Sequence, residues 1–397
     1  MATPQHDWEL YQAYAAIGVM AVLPIYIGSY AGLKYPKQKG KKTDDDDEDE
    51  EKEFFSFDDA KWYPVVGSVT LFSMYLILKF VSKDIINLLL TLNFTFLGFF
   101  AIFEVVLDGL RYLTGFPLKG SFLLSLAQLP SKKGSKSEDV FKLRFGYVHL
   151  VIGLIVACTT ALYLYSKHWI LSNIFGLSFS ITAIKLLNLD SFATGMVLLA
   201  GLFFYDVFWV FGTEVMVTVA KGLDVPIKVV FPKSFIAILE QGILNKPEGV
   251  GFTMLGLGDI VIPGVFVALC LSYDHFNYLN SAAGKKNKQS RWFPTPYFTT
   301  CFIMYILGLF TTIYVMHTFK AAQPALLYLS PACIISALGV AIIRGDLKGL
   351  FDFAPQGSAL HETKKGTQSN ENVKVEKDDT EKKRARKRSA SKKRKVQ

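Results

Sequence analysis

Nine apolar runs, each about 19–23 residues long, occupy most of the chain between residues 12 and 343. They lie at about 12–33, 62–82, 85–107, 146–166, 168–187, 191–212, 253–273, 297–319 and 323–343. A hydrocarbon core of roughly 30 Å is crossed by about 20 helical residues. Runs of this length therefore read as helices, which satisfy their own backbone N–H and C=O groups where no water can. The expectation is an all-α polytopic membrane protein with about nine transmembrane helices. The fourth and fifth runs, and the fifth and sixth, are joined by very short turns, so their boundaries are the softest.

Composition agrees and removes other classes. Of 397 residues 51% are hydrophobic, with 33 Phe and 18 Tyr, which does not suit a string of soluble domains. The net charge of +9 is concentrated at one end: residues 361–397 hold 14 Lys/Arg against 6 Asp/Glu. On a soluble chain that tail would suggest nucleic acid. On a nine-span chain it marks a cytosolic terminus, and neither a nucleic-acid partner nor use of the terminal KKRKV for nuclear import is expected. Cys158, Cys270, Cys301 and Cys333 all fall within apolar runs without CxxC spacing, so they read as small hydrophobes.

Basic residues near span ends give the orientation. Residues 1–11 contain no Lys or Arg, while Lys34, Lys37, Lys39, Lys41 and Lys42 follow the first run. The N-terminus is expected in the lumen and the C-terminus in the cytosol, with the basic loops 108–145 and 274–296 also cytosolic. Loop 213–252, with four lysines on the lumenal side, argues weakly the other way. The first run lacks a basic n-region and reads as a retained anchor. Three regions follow: 1–61, a first span and an acidic cytosolic loop (TDDDDEDEEKE, 43–53); 62–350, a membrane-embedded core; and 351–397, a polar basic tail of disordered character.

Two aspartates break the apolar pattern. Asp206 lies within GLFFYDVFWVFGTEV (201–215), and Asp259 within FTMLGLGDIVIPG (252–264), 53 residues later. An aspartate at the centre of a membrane helix costs roughly 2.5–3.5 kcal/mol on insertion scales, so it normally has a partner or a task. Around Asp259 the helix is weakened. Pro263 lacks the N–H that would bond the Asp259 carbonyl, predicting a kink or unwound turn there. Gly256 and Gly258 lower helix propensity and admit a second backbone. QPALLYL (323–329) opens the last run, with Pro324 suited to the first turn of a helix and Pro331 predicting a kink within it. Glu104, Asp108, His149 and Lys185 lie near span ends, where snorkelling to the interface accounts for them.

Tyr205-Asp206 in one span, Gly256-Leu257-Gly258-Asp259 in the next and Pro324-Ala325-Leu326 opening the last together resemble the intramembrane aspartyl proteases, the presenilins and signal peptide peptidases. The resemblance runs from about residue 62 to 350. The short loop between the aspartates, the lumenal N-terminus and the flanks FYDVFWVF and MLGLGDIVIPG are similar to the signal peptide peptidase branch. The acidic block departs from it, and the only N-x-[ST] sequon, at Asn93, lies inside a span.

The resemblance implies a presenilin-like fold, Asp206 and Asp259 as the catalytic pair, and Tyr205, Gly256, Leu257, Gly258, Pro263, Pro324, Ala325 and Leu326 as residues shaping the site or binding substrate. It implies cleavage of residual signal peptides and other type II-oriented helical segments in the endoplasmic reticulum membrane. The expected partners are those helical peptides and the bilayer, with a homo-oligomer or a quality-control complex left open. Two carboxyls in low dielectric tend to share one proton, which is the machinery of aspartic proteolysis and needs no metal or cofactor. No HExxH is present, and GLSF (176–179) departs from a serine-protease GxSG. Paired acids on broken helices also suit a proton-coupled transporter, and a non-catalytic adaptor for misfolded spans is a third reading. Lys393 and Lys395, five and three positions from the end counting the last residue as one, resemble a dilysine retrieval signal.

Overall fold

The computed structural model describes residues 4–33, 54–115, 122–127, 139–213, 215–223, 225–242, 249–287, 290, 292–319, 323–355 and 358. The acidic block at 43–53 and the tail beyond 358, with Lys393 and Lys395, lie outside them.

Nine of the helices among the described residues are long and apolar enough to cross a bilayer. In chain order the helices are α1 (Pro4–Ala31), α2 (Phe57–Phe80), α3 (Lys83–Thr114), α4 (Tyr147–Ser166), α5 (Trp169–Leu186) and α6 (Phe192–Phe211). Two short helices, α7 (Val215–Gly222) and α8 (Phe235–Gln241), precede α9 (Gly258–Asn280). The short α10 (Ala282–Lys286), the spans α11 (Pro296–Phe319) and α12 (Leu326–Arg344), and a last short α13 (Leu347–Asp352) complete the set.

Local sequence sets several of these ends. Ser56 and Asp59 form a capping box at the start of α2, Ser56 Oγ accepting the Asp59 N–H at 3.3 Å and Asp59 Oδ2 the Ser56 N–H at 3.1 Å. Gly115, at φ 63°, stops α3 in the left-handed region that glycine adopts readily. With 32 residues, α3 spans about 48 Å, well beyond the hydrocarbon core. Its last turn, with Leu113 and Tyr112 exposed, projects past the apolar run expected to end at 107.

Among the described residues, three small two-stranded sheets accompany the helices. β1 (Phe54–Phe55) pairs in parallel with β4 (Asn188–Leu189), β2 (Phe122–Ala127) is antiparallel to β3 (Asp139–Phe145), and β5 (Lys228–Pro232) is antiparallel to β6 (Phe252–Gly256). The stretches 108–145 and 213–252, read from sequence as loops, thus contain regular structure.

The most enclosed span is α9: 67% of its apolar window is buried, against 6% for α2. It sits among α1, α5, α11 and α12, while α6 contacts α2 and α12. Missing side chains allow the close approaches. A Cβ on Gly28 of α1 would lie 2.9 Å from Ile184 Cβ, and one on Gly264 of α9 2.6 Å from Ile184 Cδ1, so α1, α5 and α9 converge on that one residue.

The charged residues set aside as snorkelling behave differently. Lys185 Nζ of α5 meets Glu104 Oε1 at 2.5 Å and Asp108 Oδ2 at 2.7 Å on α3. A cation that can reach two carboxylates across a helix interface gains more from them than from lone exposure at a headgroup boundary. His149 caps α4, its Nδ1 accepting the Gly146 N–H at 3.2 Å.

Candidate active site

Helical periodicity turns Asp206 inward. Leu199, Leu202, Asp206 and Trp209 are buried along one face of α6, while Phe204, Phe208 and Phe211 are exposed on the other. Asp206 is only 4% exposed. Its Oδ2 accepts the backbone N–H of Leu326 at 3.1 Å. Leu326 is the first residue of α12, and the first N–H groups of a helix have no partner inside it. This is the part played by Pro324-Ala325-Leu326. Ala325 caps the helix and Pro324 stands one position before the cap, not in the first turn, so the free N–H offered to the carboxylate belongs to Leu326.

Asp259 reaches the site differently from the kinked mid-helix position expected. Residues 252–256 form β6, Leu257 is the cap of α9, and Asp259 is the second residue of that helix. Pro263 lies inside a continuous α9. The Asp259 carbonyl, which no residue-263 N–H can bond, accepts the Tyr305 hydroxyl of α11 at 3.3 Å instead. The break in helical structure therefore falls before the aspartate, at a strand-to-helix junction. Asp259 is half-buried, and its carboxyl lies within electrostatic reach of Asp206.

The remaining residues surround this pair. A Cβ on Gly256 would lie 3.5 Å from Asp259 Oδ2, so any side chain at 256 would stand against the carboxyl. Gly258 is exposed with open space around it. Leu257 packs toward α5, and Pro263, Pro324, Ala325 and Leu326 are buried. Tyr205 is half-buried against α2, where a Cβ on Gly67 would sit 3.5 Å from its ring. One turn on, Trp209 Nε1 donates to Ser68 Oγ of α2 at 3.0 Å.

Two residues here escaped the sequence reading. Tyr305 sits in an unremarkable apolar run, and only the missing N–H of Pro263 hinted that some donor was needed. Asp274 is buried like Asp206 and Asp190, 3% exposed, just past the expected end of its run. Its carboxylate accepts the N–H groups of Tyr297 at 3.3 Å and Phe298 at 2.8 Å at the start of α11. A buried acid bonded to a helix N-terminus is thus a recurring staple of this fold, and it is the neighbouring carboxyl of Asp259 that sets Asp206 apart. Among the described residues no cluster of three or more His, Cys, Asp or Glu side chains is arranged to hold a metal ion. What the pair offers is two proton-transfer groups beside an irregular, glycine-lined strand end.

Comparison with known proteins identifies the pattern. Residues 46–357 match the family of the signal peptide peptidases. The human protein named signal peptide peptidase is 39% identical over 371 residues, covering 92% of this chain and 90% of its own length. The mouse signal peptide peptidase is 39% identical over 343 residues, 86% of this chain and 82% of its own. Intramembrane protease 2 of Caenorhabditis elegans is 43% identical over 235 residues, 59% of this chain and 49% of its own. With nine spans bringing Asp206 and Asp259 together and this similarity over nearly the whole chain, the protein belongs to the signal peptide peptidase family of intramembrane proteases.

Proposed function

We propose that the protein is an aspartic-type intramembrane endopeptidase of the endoplasmic reticulum membrane that cuts residual signal peptides and other type II-oriented transmembrane segments. One observation carries the reading: two carboxyls from different spans lie within electrostatic reach of each other beside non-helical backbone, one of them bonded to the Leu326 N–H. Like charges in low dielectric resist double ionisation, so one carboxyl holds a proton while the other is ionised. The ionised member takes a proton from water, and the protonated member polarises the scissile carbonyl. The water attacks, and the roles exchange as the tetrahedral intermediate collapses and the amine leaves. The proton belongs to the pair, not to either residue. Asp259 is not fully enclosed, which supports water access, and the glycine-lined 256–258 segment leaves room for an unwound substrate backbone.

Catalysis is assigned to Asp206 and Asp259, with Tyr205, Gly256, Leu257, Gly258, Pro263, Pro324, Ala325 and Leu326 supporting them. The lumenal N-terminus, cytosolic C-terminus and dilysine retrieval by Lys393 and Lys395 belong to the same proposal and rest on charge distribution. The transporter and adaptor readings gain nothing from the relatives, whose names are those of peptidases and proteases. The test is purified protein in detergent with a signal-peptide substrate, with and without an aspartyl transition-state analogue. Asp206→Asn and Asp259→Asn should each abolish cleavage while keeping the fold, because an amide fills the space but performs neither proton role. More than a few per cent residual activity in either variant refutes the mechanism.

A further inference from the structure

Helix α5 carries Trp169, Asn173 and Gly176, spaced i, i+4 and i+7 and therefore on one face. Each meets the β5–β6 ribbon or the residue that follows it. The Trp169 ring stands edge-on to Phe231 at 5.7 Å and tilts against Phe252 at 6.4 Å, touching neighbouring rungs on both strands. A Cβ on Gly176 would touch Leu257 Cδ2 at 3.4 Å and the Lys228 carbonyl at 3.9 Å. Between them Asn173, 5% exposed, faces the outer edge of β5. Its Oδ1 accepts the Val230 N–H at 2.9 Å and its Nδ2 donates to the Val230 carbonyl at 2.7 Å. Nδ2 also lies 3.6 Å from the sulfur of Met20 on α1. Only one orientation of the amide satisfies both backbone groups.

This pair of bonds is what a neighbouring strand residue would make. The two-stranded ribbon that receives it ends at the reaction centre. Val230 faces Met254 in the register, the Leu257 N–H bonds the Ile227 carbonyl at 3.1 Å, and Asp259 follows two residues later. A two-stranded ribbon is marginal alone, and its register is weakly specified without a partner on its edge. We propose that Asn173 is a positioning residue for catalysis: by standing in for a third strand on β5 it fixes the height of β6, and with it the Asp259 carboxyl relative to Asp206. The proposal rests on the aspartyl-protease reading above.

The test uses full-length protein in detergent, with active sites counted by titration with the tight-binding transition-state analogue. Asn173→Ala should lower kcat per titrated site about 10- to 100-fold, the range expected when a catalytic group is displaced by about an ångström. KM should stay within about three-fold, and the ratio of products cut at adjacent bonds should change. Asn173→Asp supplies a readout that packing alone does not move. A protonated carboxyl reproduces the amide's acceptor and donor, whereas an ionised one faces the Val230 carbonyl. Its kcat relative to the unmodified protein should therefore climb as pH falls, with no such trend for Asn173→Ala. Unchanged kcat per site and product ratio in Asn173→Ala overturns the proposal. So does an Asn173→Asp ratio that is flat with pH, which would mark a role in folding only. Failure of the underlying mechanism shows separately, as cleavage by Asp259→Asn.

Discussion

Tyr305→Phe removes one hydroxyl and leaves the packing of a fully buried ring intact. That hydroxyl bonds the Asp259 carbonyl because Pro263 brings no N–H to it. An orphaned buried carbonyl costs about 1–3 kcal/mol. The O···O distance of 3.3 Å is beyond the usual O–H···O range, which places the loss at the low end, about 1 kcal/mol. That corresponds to about a five-fold change in the folding equilibrium. Pro263→Ala restores an N–H four residues after Asp259, so the helix can satisfy the carbonyl itself. In that background Tyr305→Phe should cost close to nothing, and the double-mutant cycle should show a coupling of about 1 kcal/mol. Equilibrium unfolding in mixed micelles with rising dodecyl sulfate, followed by fluorescence of the five tryptophans, measures all four corners. Equal costs of Tyr305→Phe in both backgrounds would refute the link between the proline and the tyrosine.

Other expectations follow from the same geometry. Lys185→Met strands Glu104 and Asp108, whose side chains are 30% and 32% exposed. The figure for a fully buried pair is therefore reduced to about 2 kcal/mol, measurable in the same titration and partly restored by adding Glu104→Gln. For topology, a glycosylation acceptor placed before residue 8 should be modified and one placed within 43–53 should not; the reverse would invert the whole orientation. Changing Lys393 and Lys395 to Ser should let the protein leak to later compartments while most of the tail's charge remains. Unchanged localisation would instead favour attraction of the tail to anionic lipid.

The spans were legible because hydropathy needs only local sequence: an apolar run of about 20 residues has essentially one way to satisfy its backbone in lipid. All nine appear as long helices, six of them within five residues of their expected limits; α1 begins eight residues earlier, α3 runs seven further, and α9 starts five and ends seven later than expected. The clearest error lies at 253–257, where the sequence Thr-Met-Leu-Gly-Leu continues the apolar run without a break. Hydrophobicity alone does not distinguish a short strand from a helix in such a run, and the deciding partner, β5, is a non-local segment some 20 residues earlier. The two glycines and Pro263 marked the irregularity but misplaced it within a helix.

Asp206 and Asp259 announced themselves because a carboxyl in lipid is expensive wherever it lies. What each one bonds is another matter. Asp206 reaches Leu326 across 120 residues, Lys185 reaches Glu104 across 81, and Asn173 reaches Val230 across 57. The sequence alone determined which stretches of the described chain become helices long and apolar enough to cross a bilayer, and which two acids stand out. Tertiary structure decided which helix N-terminus receives Asp206, which hydroxyl completes the Asp259 carbonyl and which amide holds the strand beside it. Burial energy is a property of a residue and its immediate run, whereas a hydrogen bond exists only once packing has brought two distant groups to within about 3 Å.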